Sequence, residues 1–188
     1  MSKIIDNELE DAILNLPVKE RNKLLLRLIR KDKILTEQLH FKLLEHPEID
    51  LKLRESEIYE YIEDYLFKRR GQSNKTVLLR LREVFSKISH HHKITGDKIG
   101  EVRLSVRAVL VTCKYHQDAF ENEFRSDTEK LTIFIRRKVS AMLNKYQKIH
   151  EDYKIEFFDQ INESLEFLEN LKNKIPKQKV SLPTNIVE

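Results

Sequence analysis

Residues 98–113 read KIGEVRLSVRAVLVTC, and the spacing of their apolar side chains decides the fold class. Ile99, Val102, Val106, Val109, Leu110 and Cys113 recur every three or four residues. That is the period of one helical face, not the strict alternation of a half-buried strand. Thr95-Gly96-Asp97, just before this stretch, breaks the chain and starts the helix afresh.

The same period carries outward in both directions. Over about 75–91 the stripe is Val77, Leu81, Val84, Phe85 and Ile88, and over about 55–70 it is Ile58, Ile62, Tyr65 and Leu66. Between them lies the turn sequence Gly71-Gln72-Ser73-Asn74. Downstream, Ser126-Asp127-Thr128-Glu129 has the form of a capping box, in which serine and glutamate each satisfy an orphan N–H of the first turn. A long helix then runs through Leu131, Phe134, Ile135, Met142, Leu143, Tyr146 and Ile149. A last helix, or its bent continuation, carries Phe158, Ile161, Leu165, Leu168 and Ile175.

Three short helices are expected upstream of all these. One covers about 6–15, and a second follows Pro17 through Leu24, Leu25, Leu28 and Ile29. The third is capped by Asp32 and ended by His46-Pro47. The expected fold is therefore all-α, with seven to eight helices in antiparallel hairpins, forming a helical bundle or a short HEAT-like stack. One domain is expected over 1–175, with a three-helix subunit, 1–46, packed on longer helices over 54–175. The tail 176–188 has two prolines and little periodicity, so it reads as extended or disordered.

Composition agrees with this reading. Three glycines and four prolines in 188 residues leave too little turn chemistry for a many-stranded β fold. Charged residues at 35% and apolar ones at 40% suit amphipathic helices with solvated outer faces. The single cysteine, Cys113, cannot build an internal disulfide and fits a reducing compartment. The first residues lack the apolar segment of a secretory signal, and no apolar run approaches the ~18 residues of a membrane span. A cytoplasmic protein without membrane contact is the expectation.

The stretch Leu16-Pro17-Val18-Lys19-Glu20-Arg21-Asn22-Lys23-Leu24-Leu25-Leu26-Arg27-Leu28, followed by Leu39-His40-Phe41-Lys42-Leu43-Leu44, resembles a run in some uncharacterised bacterial helical proteins. There, two short helices open a HEAT-like or bundle-like domain. The resemblance spans roughly the first 110 residues, rests on leucine spacing, and implies a fold but no activity.

The net charge of +4 hides a division along the chain. Residues 68–148 hold 19 Lys/Arg against 8 Asp/Glu, a balance of +11, whereas the first fifty sum to −1 and residues 151–188 to −3. Within the basic segment, Arg103, Arg107 and Lys114 share one helix face. Arg69 and Arg70 stand at a helix end, where cations favour the macrodipole. Arg136 and Arg137, with Lys138, fan around a helix, so one of them must approach its apolar side. Together these residues are candidates for tracking phosphates. The alternative is that they are answered within the molecule, by the acidic stripe Asp152, Glu156, Asp159, Glu163 and Glu166 on the last helix.

His90, His91 and His92 are candidate metal ligands, with Asp97 as a possible third donor, although consecutive helical residues point about 100° apart. Glu37 and His40 have the Glu-x-x-His spacing of di-iron bundles, but a full site needs more carboxylates than accompany it. Cys113 and His116 could form half a metal site, yet Cys113 continues an apolar stripe and reads as a buried thiol. No Gly-rich phosphate loop and no Gly-x-Ser-x-Gly motif occurs, and no cofactor is expected. Non-enzymatic protein–protein interaction or scaffolding therefore ranks first, with another protein as partner. Nucleic-acid binding through the basic centre ranks second, and a metal-dependent enzyme third. Nothing in the sequence sets the oligomeric state.

Overall fold

The computed structural model describes residues 5–67, 73–121, 126–171 and 181–186. All regular structure among them is helical, with no strand, so the fold is all-α. The chain divides into two compact units, Met1–Glu45 and His46–Glu188.

The first unit consists of α1 (Asn7–Leu14), α2 (Val18–Ile29) and α3 (Lys33–Leu44). Each starts where local chemistry dictates. The Asp6 carboxylate accepts the Glu8 N–H at 2.8 Å, and that of Asp32 accepts the Leu35 N–H at 3.0 Å. Pro17 precedes α2 with its φ already near the helical value. The joints are tied by side chains: an Arg21 guanidinium N–H donates to Leu14 O at 3.4 Å, and the Thr36 hydroxyl to Ile29 O at 2.8 Å. Yet none of the three helices contains a buried residue.

The second unit begins earlier than the sequence suggests. His46-Pro47 ends α3 but also opens α4 (Pro47–Ile62), well ahead of the expected start near 55. Pro47 is tolerated in the first turn, where its missing N–H has no partner to lose, and the Asp50 carboxylate accepts the His46 N–H at 2.6 Å. A π-helical turn, Glu63–Phe67, continues α4. Its carbonyls are collected by buried side chains: Arg80 donates to Tyr65 O at 3.3 Å and the His116 Nε2–H to Leu66 O at 2.6 Å.

Next come α5 (Asn74–Thr95), α6 (Lys98–Tyr115), the short α7 (Asp118–Glu121) and α8 (Ser126–Tyr146). After them α9 (Glu151–Lys154) and a 3-10 turn lead into α10 (Phe158–Asn170). Helix α5 runs through all three histidines to Gly96, whose left-handed φ of 73° lets its N–H close the last turn on His92 O at 2.8 Å. Helix α8 begins at Ser126, which is itself the first helical residue rather than the capping residue expected, so the cap position falls on a residue outside the described set.

Helix α6 is the hub, packed against α4, α5, α8 and α10. The sequence suggests one apolar face, but Leu104, Ala108 and Val111 on other faces are also buried, as are Gly100, Ser105 and Thr112. Between Gly100 and Cys113 only Arg103, Arg107 and Leu110 are not buried. The core around α6 comes from Ile62 and Leu66, from Val77, Leu81 and Ile88 on α5, from Leu131, Ile135 and Val139 on α8, and from Ile161, Leu165 and Leu168 on α10. Of the tail, residues 181–186 carry no helix or strand, and both backbone groups of Ile186 bond the Asn162 amide, N–H to Oδ1 at 2.9 Å and Nδ2–H to O at 3.4 Å. Residues 172–180, 187 and 188 lie outside the described residues.

Candidate functional site

Because α6 is surrounded, its cations emerge along one narrow seam: Arg103, Arg107, Leu110 and, one turn further, the exposed Lys114. Opposite run Glu55 and Tyr59 on α4 and Glu63 at the start of its π-helical continuation, spaced four apart. Arg103 is held from two sides. Its Nε donates to Glu156 Oε1 at 2.8 Å and Nη2 to Oε2 at 3.2 Å, a bidentate pair, while Nη1 donates to Glu55 Oε1 at 2.8 Å. The bond to Glu156 raises the Arg103 pKa above its ordinary value; partial burial opposes the rise, and Glu55 adds to it. Arg107 donates from Nε to Glu63 Oε1 at 2.7 Å, and its guanidinium lies over the Tyr59 ring at 5.2 Å.

Two segments therefore answer the seam: α4 with its π-helical continuation, and the 3-10 turn ahead of α10. Of the acidic stripe on 152–166, Glu156 makes the direct contact, while Glu163 and Glu166 line a shallow groove with Lys114. Glu55 and Glu63 were not anticipated as partners. Their spacing with Tyr59 was visible, but nothing in the sequence says that this side of α4 meets α6.

The other candidate cations separate. Arg136 is not a surface residue: it is 3% exposed and its guanidinium donates to Leu168 O at 3.3 Å. It is the member of the Arg136–Lys138 run that turns inward, and burial pulls its pKa down. Arg137 is exposed, and the Lys138 ammonium lies over the Phe85 ring at 4.8 Å and the Phe134 ring at 5.4 Å. Arg69 and Arg70 lie outside the described residues.

The three histidines take three environments. His90 is exposed. His91 is buried, and its Nε2 stands 3.8 Å from Asp97 Oδ2, beyond hydrogen-bond length but close enough for the ring to favour the carboxylate. His92 donates from Nδ1 to Asp97 O at 3.0 Å and lies 3.7 Å from Glu101. Asp97 caps α6 by accepting the Gly100 N–H at 2.9 Å. Burial alone would push its carboxyl up, but the His91 ring and the Gly100 and Ile99 N–H groups outweigh this and hold it below its ordinary value. Around this corner and elsewhere among the described residues, no three His, Cys, Asp or Glu side chains are placed to hold a metal ion. His40 pairs with Glu45 at 2.9 Å, and Glu37 lies 3.8 Å from Lys33.

Cys113 is buried, and burial, with help from the Glu163 carboxylate, pushes its thiol pKa far up. Tyr61 and Tyr65 stack at 4.9 Å on the edge of the core. Both hydrogen-bond Glu83, whose carboxyl they hold below its usual value.

The first unit presents the other surface of note. Leu9 and Leu14 on α1, Val18, Leu25, Leu26 and Leu28 on α2, and Leu43 and Leu44 at the end of α3 are each more than half exposed, up to 74% at Leu44. Val18, Leu25 and Leu28 fall on one side of α2, at i, i+7 and i+10. Isolated exposed leucines are unremarkable, but so many in so few residues are not. No helix among the described residues is long and apolar enough to cross a membrane. Family models, curated proteins and solved structures offer no match to this chain.

Proposed function

We propose that this chain is a protein-interaction module that works through the apolar surface of its first unit. The observation that carries this reading is that α1, α2 and α3 bury no residue while exposing leucines along their length. Helices of 8 and 12 residues are marginal by themselves, because a short helix gains too few hydrogen bonds to offset nucleation. Tertiary burial normally makes up the deficit. Fully burying one leucine is worth about 1.5–3 kcal/mol, so covering even a few of these side chains would be a large gain for whatever covers them.

Binding of a polyanion by the basic centre is the weaker reading. Arg103 and Arg107 direct their donors to Glu55, Glu156 and Glu63, and Arg136 is inside. Exposed cations such as Lys114 and Arg137 remain, on different helices, α6 and α8, and Arg69 and Arg70 lie outside the described residues.

A hydrophobic reporter dye tests the leading reading. The full chain should enhance the fluorescence of such a dye or capture it at a protein interface, and Leu25→Ser with Leu28→Ser should reduce that response without loss of helicity by circular dichroism. A folded chain that is both monomeric and silent towards the dye would sink it.

A further inference from the structure

We infer that the partner of the first unit is a second copy of this chain, paired two-fold so that α1 of each copy lies on α2 of the other. The inference rests on the interaction reading above and names its occupant.

Charge complementarity selects this occupant. Helix α1 is acidic and contains no basic residue: Glu8, Glu10 and Asp11 follow the capping Asp6, and all four are exposed. Helix α2 is basic, with Lys19, Arg21, Lys23 and Arg27 against the single acid Glu20, and it runs on into Arg30 and Lys31. A partner of uniform sign would be attracted by one helix and repelled by the other. A second copy related by a two-fold axis presents the opposite sign to both at once, because in an isologous contact α1 meets α2 and α2 meets α1. Such complementarity fixes the register of an apolar contact and suppresses wrong partners.

The apolar side chains of α1 and α2 supply about two thirds of the apolar area that a standard contact needs. A leucine side chain offers on the order of 100 Å² of apolar surface. The six leucine- and valine-sized side chains on α1 and α2, each more than half exposed, therefore offer on the order of 300–350 Å², to which the aliphatic stems of the flanking charged residues add. A standard partner footprint of about 800 Å² contains roughly 450–500 Å² of apolar surface.

The test uses the full chain in sedimentation velocity across the micromolar range, beside two charge-reversed chains. One carries Glu8→Lys and Glu10→Lys, the other Lys23→Glu and Arg27→Glu; all four positions are exposed, so the fold should tolerate them. The native chain should dimerise, and each reversed chain alone should dimerise about a hundredfold more weakly, equivalent to two tenfold steps of about 1.4 kcal/mol. Mixing the two reversed chains should restore a dimer, because both cross-contacts then pair opposite signs. A dimer indifferent to these reversals, or reversed chains that do not re-pair, would overturn the inference. A native monomer that still binds the hydrophobic dye would overturn the second-copy inference and leave the interaction reading intact. A native monomer that binds no dye would overturn both.

Discussion

Gly100→Ala should destabilise this protein, against the usual effect of that substitution inside a helix. Replacing a helical glycine by alanine ordinarily stabilises by about 0.5–1 kcal/mol, because glycine loses more backbone entropy on folding. Gly100 lies in the first turn of α6, directly over the capping residue. A Cβ built there falls on the Asp97 carboxylate, with Oδ2 the nearest atom and Cγ next. That carboxylate accepts the Gly100 N–H and faces the buried His91 ring, so it cannot turn aside and keep both partners. Losing an aspartate cap costs about 1 kcal/mol, within a range of 0.5–2. Depriving a buried imidazole of its nearby carboxylate adds on the order of 1 kcal/mol. After the propensity gain is subtracted, the net loss is about 0.5–1.5 kcal/mol, or a fall in Tm of a few degrees for a chain of this size. The assay is urea denaturation followed by circular dichroism, arranged as a double-mutant cycle with Asp97→Ala. In the Asp97→Ala background the obstruction is gone, so Gly100→Ala should stabilise by about 0.5–1 kcal/mol. The coupling energy should therefore reach about 1–2.5 kcal/mol, well above the few tenths expected of independent sites. Additive effects, or stabilisation by Gly100→Ala in the native background, would refute the claim that His91, Asp97 and Gly100 form one latch at this corner.

The same carboxylate sets an acid limit. Its folded-state pKa lies below its ordinary value. The stabilisation it gives is thus complete above the unfolded value of about 3.9 and disappears as pH falls through the folded value. Asp97→Asn, which keeps a capping side chain but removes the charge, should be less stable than the native chain near pH 6, and this difference should shrink below about pH 4; a difference unchanged at pH 3 would contradict the assignment. Cys113 should react with an aromatic disulfide reagent only as fast as the protein opens, since its thiol is buried with a raised pKa; labelling of the native chain at the rate of a free thiol would show the α6–α10 contact to be loose. Arg103→Gln should cost only about 0.5–1 kcal/mol, because the Arg103 side chain is 36% exposed and solvent screens the pairs, and the cost should fall at high salt. A loss beyond about 3 kcal/mol, the scale for orphaning a buried charge, would mean that Glu55 and Glu156 are far drier than their exposure implies.

The helices were legible because their causes are local. The Asp32 cap, the break at Gly96 and the apolar periods of α5, α8 and α10 each depend on residues within a turn or two of one another. Boundaries slipped where one signal served two purposes. His46-Pro47 reads as an ending, yet the proline that terminates α3 is equally suited to the first turn of α4. The depth of α6 was not legible either. A stripe of apolar residues shows that one face is buried, whereas Gly100, Ser105, Ala108 and Thr112 are small enough to be buried on the others, and only their neighbours decide that.

The sequence by itself determined that Arg103, Arg107 and Lys114 share a face and that one of Arg136, Arg137 and Lys138 must turn inward, since helical geometry settles which side chains lie together. Tertiary structure decided that Glu55, Glu63 and Glu156 answer the first two arginines, that Arg136 is the residue that turns in, and that the leucines of the first unit lie open. The physical reason is range: helix period and caps act over a few residues of chain, whereas an ion pair joining positions 48 or 53 residues apart exists only once packing has chosen which faces meet.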